Sequence, residues 1–204
     1  MEFFIPFLLA AFGVYYVKAQ EQRQRIALLG SYLARFQIEK LMENLTQGYL
    51  RALGEDDSER RAQIWSMLGT AETELSTQFQ LFAEEFAKVW SEKTLASTLP
   101  LALPYATRLF PKASFDVRHA LAIHAQGIAA AAENRRNLSL RDKAYTMSAE
   151  LFLMQHTCHW FCRSKAVASA RMLARHQTQY AQLLEAVAPQ TRQAYCELVG
   201  GRLG

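Results

Sequence analysis

The chain has 204 residues, half of them hydrophobic, with a formal net charge of +4 and only nine glycines and five prolines. That composition excludes a disordered or collagen-like chain and allows one domain with a sizeable buried core, with or without an appendage. Three cysteines, an odd number in a long chain, do not make a disulfide framework and fit a reducing compartment.

Ala, Leu, Gln, Glu and Arg recur throughout, and no run alternates apolar and polar residues for long enough to make a strand, so the expected class is all-α. Charge is spread unevenly. Residues 1–100 carry 10 Lys and Arg against 13 Asp and Glu, whereas residues 101–204 carry 13 against 6. This predicts acidic and basic helices facing one another in one bundle; the alternative is a basic surface for acidic lipid or an anionic partner.

The chain opens with MEFFIPFLLAAFGVYYVKAQ, an uncharged apolar run over residues 3–17. As a helix those residues extend about 22 Å, short of the roughly 30 Å hydrocarbon core of a bilayer. A secretory signal peptide would carry positive charge before its apolar region, and here the only charged side chain is Glu2. A buried core helix is a second reading. The favoured one is a membrane anchor over residues 1–19, using Phe3, Phe4, Phe7, Leu8, Leu9, Phe12, Tyr15 and Tyr16. The two tyrosines stand where aromatic belts lie, and Lys18, Arg23 and Arg25 follow directly. By the positive-inside rule, residues 20–204 form a cytoplasmic helical-bundle domain at the inner membrane.

Apolar residues then recur from Ile26 to Leu53, which predicts that the first helix reaches Ala52 before Gly54 stops it. Asp56, Asp57 and Ser58 are N-cap candidates for a second helix. Its stripe of Ile64, Leu68, Ala71, Leu75, Phe79, Phe82, Phe86 and Val89 keeps steps of three and four, with Trp90 and Leu95 extending it. Glu72, Glu74, Glu84 and Glu85 are assigned to the solvated side of that helix.

Pro100, Pro104 and Pro111 interrupt the next segment, which is apolar for a loop and is expected to pack on the bundle with one short helix over residues 105–110. Ser114 is the expected cap of a third helix. Ser139 caps a fourth that could run to Val187, and Pro189 opens a fifth. The architecture predicted is an elongated antiparallel bundle of four to five helices with the N-terminal anchor projecting from it.

Metal-ligating and nucleophilic side chains are concentrated only in HTCHWFC, from His156 to Cys162. On a helix, taking Cys158 as zero, Cys162 falls near about 40°, His159 near about 100° and His156 near about 160°. Four such side chains cannot close one tetrahedral zinc site on an unbroken helix. The cysteines align with Leu140, Ala144, Met147, Leu151 and Met154, so they are expected to fill a buried face as small apolar residues. The alternative is a metal- or redox-responsive module using Cys158, His159 and Cys162, completed by a ligand from another helix.

No glutamate precedes a histidine by three positions, and no HExxH, GxSxG, GxxxxGK[ST] or GxGxxG occurs. Catalytic and cofactor-binding residues are therefore not assigned, and no cofactor is expected. Arg135, Arg136, Arg141, Lys143, Arg163, Arg171 and Arg175 make a basic face. Without interleaved aromatics or a helix-turn-helix, acidic lipid or an acidic protein is the better match for it than nucleic acid.

The functional expectation is a non-enzymatic single-pass membrane protein whose bundle docks a partner or self-associates, as in a bacterial secretion, conjugation or exclusion system. That last step rests on architecture alone.

Overall fold

The computed structural model of the chain describes residues 4–200. The elements in order are α1 (Phe4–Leu33), α2 (Ile38–Leu53), α3 (Ser58–Phe86), α4 (Ser91–Thr94), β1 (Leu95–Ser97), α5 (Ala106–Leu109), β2 (Ser114–Asp116), α6 (Val117–Ala132), α7 (Leu140–Cys162), α8 (Lys165–His176), α9 (Tyr180–Ala186) and α10 (Pro189–Val199). The all-α class is as expected. Helix count and boundaries differ, because two of the long helices foreseen are broken.

The first break separates α1 from α2, where Phe36 leaves the helical path and its ring meets Phe82 edge-on at 6.1 Å. The backbone N–H of Gln37 is caught by Gln78 Oε1 at 2.7 Å, so the turn is satisfied by α3 rather than by its own helix. The single helix foreseen through Ala52 thus becomes a pair of helices. α3 starts where predicted, with Asp57 accepting from the Arg60 N–H at 2.9 Å, and Leu68, Leu75, Phe79, Phe82, Phe86 and Val89 of its stripe are buried. The stripe ends at Val89, since Trp90 is 80% exposed.

The proline-rich segment is held by an antiparallel ladder of three pairs, Leu95 with Asp116, Ala96 with Phe115 and Ser97 with Ser114. Three-residue strands carry no legible alternation, so this ladder had no signature in the sequence. Ser114 lies in it, and the cap of α6 is Asp116, which accepts from the Arg118 N–H at 3.0 Å. The Arg118 guanidinium, gripped by Asp116, also donates to the carbonyls of Val89 at 2.8 Å and Ala87 at 3.4 Å. One aspartate thereby caps the start of α6 and, through its arginine, the end of α3.

The helix foreseen over residues 139–187 is divided into α7, α8 and α9. It begins at the predicted Ser139 cap. At Ser164 the chain is extended, and its hydroxyl accepts from the Val167 N–H to start α8. Gln177 takes a left-handed conformation, φ 50°, that ends α8. α8 then folds back along α7, placing Ser169 beside His156 and His176 beside Gln155.

α7 is the central element. Ala144, Met147, Leu151, Leu153, Trp160 and Phe161 are all buried, and they spread over more than half of the helix circumference. It packs against α1, α2, α6, α8 and α9. Beyond Tyr145 no residue of α7 is exposed, so this length of the helix has no fully solvated face.

Glu72 lies within the buried stripe instead of on the solvated side, being four residues after Leu68 and three before Leu75; it is 2% exposed. Tyr49 of α2 donates to its Oε1 at 2.6 Å and Lys143 of α7 pairs with its Oε2. Among the described residues this is the one ion pair that joins the acidic half of the chain to the basic half. Complementary charge therefore meets at a buried point, and the facing helices of opposite charge expected from the sequence are not the arrangement.

No helix among the described residues is long and apolar enough to cross a membrane. The expected single-pass span is thus not supported, for the physical reason that the uncharged apolar stretch of α1 stops at Val17, about 21 Å from its start.

Glu72→Ala would leave the Lys143 ammonium and the Tyr49 hydroxyl without their shared acceptor. The expected loss is about 3 kcal/mol in urea unfolding, seen as a lower midpoint at unchanged slope. Glu72→Gln, which keeps an acceptor for Tyr49, should lose less.

Candidate functional site

The stretch from His156 to Cys162 ends α7, and its two sides face different surroundings. His156, Thr157, Trp160 and Phe161 point inward and are buried, whereas Cys158, His159 and Cys162 are half-buried. The face expected to carry the cysteines into the core therefore carries them to its edge. There they line an apolar groove of about 290 Å³ between α1, α2 and α7, with Leu29, Leu33, Ile38, Met42 and Met154 opposite.

Burial pushes the thiols up, Cys162 to about 11, even though the guanidinium groups of Arg25, Arg163 and Arg171 pull the other way. Burial is also the main cause for Cys158, reinforced by Cys162 and Glu39. Thiols held protonated make poor metal ligands and poor nucleophiles. Among the described residues no three His, Cys, Asp or Glu side chains converge as metal ligands. The proposed set of Cys158, His159 and Cys162 is not completed from another helix, since the group facing His159 across α8 is Arg171, at 3.2 Å from its Nδ1. A cation there also pulls the imidazole's pKa down, after burial.

The inner face of α7 holds a polar cluster that the sequence did not signal. Thr157 donates to the Leu153 carbonyl at 3.0 Å, so its oxygen can only accept from His124 Nε2 at 2.8 Å and from the Tyr195 hydroxyl at 2.9 Å. This fixes His124 as the neutral tautomer protonated on Nε2. Burial lowers the pKa of His124 to about 3 and that of His156 to about 4. His156 is held by Ser169 at 3.0 Å and stacks on Tyr180 at 4.6 Å.

About two turns earlier, Glu150 accepts the Ala188 N–H at 2.9 Å and so caps the start of α10. Its carboxyl fits only because residue 127 is glycine, where a Cβ would overlap both Glu150 and the Thr191 hydroxyl. Burial raises this carboxyl to about 7, opposed by the Ala188 and Thr191 hydrogen bonds. Behind Gly127 and Thr191 opens a cleft of about 380 Å³ rimmed by Arg135, Arg136 and Lys143. The cluster's own polar atoms are enclosed, which suits a structural role linking α6, α7 and α10.

The basic residues do not form one face. Arg135, Arg136, Arg141 and Lys143 lie about the α6–α7 turn, where Arg135 pairs with Glu133 and Lys143 with Glu72. Arg163, Arg171 and Arg175 lie at the other end of α7 and on α8, about 20 to 30 Å away along the helix.

The most unusual surface is on α1. Phe3 lies outside the described residues, as do the side chains of Phe4, Phe7 and Leu8, whose backbone is in α1. From there on, Leu9 and Phe12 are each 68% exposed, Val14 54%, Tyr15 68% and Tyr16 61%. At about 100° per residue these five point in all directions around the axis. The bundle begins to cover α1 only at Val17.

Beside the point of entry lies the proline-rich loop, whose Tyr105 N–H donates to Glu21 Oε2 at 3.2 Å. This loop exposes Leu101, Leu103, Leu109 and Phe110. Two apolar, uncovered segments thus adjoin at one place, a juxtaposition that creates a patch far larger than the isolated exposed side chains usual on a protein surface.

Two outcomes test these electrostatics. Below pH 6.5 the unfolded chain protonates two histidines that the fold keeps neutral, so stability falls with pH. Above about 4.5 the fold holds a proton on Glu150 that the unfolded chain releases, so that group costs stability as pH rises through about 7. Glu150→Gln should therefore be close to neutral at pH 5 and gain on the order of 3 kcal/mol relative to the parent at pH 8, read from denaturant midpoints. In alkylation at pH 7.5 followed by peptide mass spectrometry, exposed Cys196 should label fast and Cys158 and Cys162 at least tenfold more slowly.

Searches against known protein families, curated proteins and solved structures gave no match, so these residues are interpreted from their own geometry.

Proposed function

We propose that this protein is a non-enzymatic helical platform held at a membrane surface by the start of α1, presenting its bundle to a protein partner on the cytoplasmic side of a bacterial inner membrane. The observation that carries the reading is the exposure of Leu9, Phe12, Val14, Tyr15 and Tyr16 on every side of α1. A helix apolar all round is stable only when something apolar covers it, and no other element reaches it until Val17. Lipid fits that requirement better than a flat protein surface, which would cover one side only.

The apolar stretch is shorter than the hydrocarbon core, so the attachment is taken as end-on insertion of the start of α1 into one leaflet rather than a full crossing. Tyr15 and Tyr16 then stand at headgroup level, and Lys18 and Arg23 follow at the anionic surface. The exposed Leu101, Leu103, Leu109 and Phe110 add a second contact beside the first.

Full-length protein should float with vesicles of mixed zwitterionic and anionic phospholipid in a density gradient. Phe12→Asp with Tyr16→Asp should leave most of it at the bottom while circular dichroism stays unchanged. Flotation of that double variant with the same yield as the parent would refute the reading.

A further inference from the structure

The groove between α1, α2 and α7 is apolar along its walls and cationic at its mouth. Leu29 and Leu33 line one wall, Ile38 and Met42 the second, and Met154 with the half-buried Cys158 the third. Its volume of about 290 Å³ lies at the lower end of the roughly 300–1,000 Å³ usual for small-molecule sites. Arg163 and Arg171 stand at the rim with His159, and Glu39 is the acidic side chain there.

Among the described residues neither arginine forms an ion pair: Arg163 donates to Gln22 at 2.7 Å, and Arg171 meets His159 Nδ1 at 3.2 Å. The positive field is felt inside the groove, where Arg25, Arg163 and Arg171 all favour the anionic form of Cys162. Arg171 is exposed at the rim and Arg163 half-buried beside it, so both guanidinium groups reach the mouth of the groove without a counter-ion among those residues and can pair there with an anion. Neutral apolar ligands or a partner helix would leave those charges unanswered.

We infer that this groove binds a single-chain amphiphile with an anionic head, a fatty-acid anion, its tail between Leu29, Ile38, Met42 and Met154 and its carboxylate at Arg171. Each methylene buried should tighten binding by about four-fold until the groove is filled. The site is separate from the membrane-facing segment, because the groove begins at Ile26, past the uncovered stretch of α1.

Cys162 reports on occupancy and Cys196 serves as an internal control, since one lines the groove and the other is exposed elsewhere. With the full-length chain and no vesicles, submicellar dodecanoate should slow alkylation of Cys162 at least tenfold and leave Cys196 unchanged. Octanoate should need a far higher concentration, and dodecanol should protect only weakly.

Arg171→Ala should raise the dodecanoate concentration required by about tenfold. Gly30→Phe should abolish protection by filling the slot; a Cβ at Gly30 meets nothing within 4 Å, so the backbone can keep its place. The Phe12→Asp, Tyr16→Asp variant should be protected as well as the parent, which keeps this test apart from that of membrane attachment. The inference is overturned by absence of protection, by equal protection from dodecanol and dodecanoate, or by a folded Gly30→Phe variant protected like the parent.

Discussion

The structure depends on a helix in which no residue from Thr146 to Cys162 is exposed. α7 packs against five other helices, so each of its buried polar groups has to find a partner inside the protein or stay unsatisfied at a cost of a few kcal/mol. Each therefore selects a neighbour. Lys143 takes Glu72 of α3, Glu150 takes the start of α10, Thr157 takes His124 of α6 and Tyr195 of α10, and His156 takes Ser169 of α8. The apolar contacts around α7 are interchangeable in kind, whereas these polar ones fix which helix lies on which side.

The same constraint explains a small residue with a large effect. Gly127 lets α6 approach the Glu150 carboxyl and the Thr191 hydroxyl together, and any side chain there would push three helices apart. It also explains the opposite pH responses inside one cluster. Burial penalises whichever form is charged, so it keeps two histidines neutral and one carboxyl protonated near neutrality.

Polarity is inverted at two places in this molecule. Ionisable groups are sealed inside the bundle, while aromatic and aliphatic side chains stand uncovered on α1 and on the adjoining loop. The first inversion is answered within the chain by hydrogen bonds at most of these groups, with His124 Nδ1 and His156 Nδ1 left without a partner among the described residues. The second has no partner among the described residues, which is why it carries the proposal of attachment to a membrane; the cationic groove, whose arginines have no counter-ion among those residues, carries that of a fatty-acid ligand.

The sequence by itself determined the helical class, the starts of α3, α7 and α10 through Asp57, Ser139 and Pro189, and the buried stripe of α3, because caps and a 3.6-residue period are local signals. It also located the apolar start of α1. It could not determine the breaks near Phe36 and Ser164, where Phe82 and Gln78 of α3 stabilise one turn and the fold-back of α8 onto α7 defines the other. Nor could it orient the stretch from His156 to Cys162, since a period distinguishes an inner from an outer face only when one face meets water. With no exposed residue from Thr146 to Cys162, tertiary packing decided that Thr157 and His156 point to the centre and that Cys158 and Cys162 border a groove.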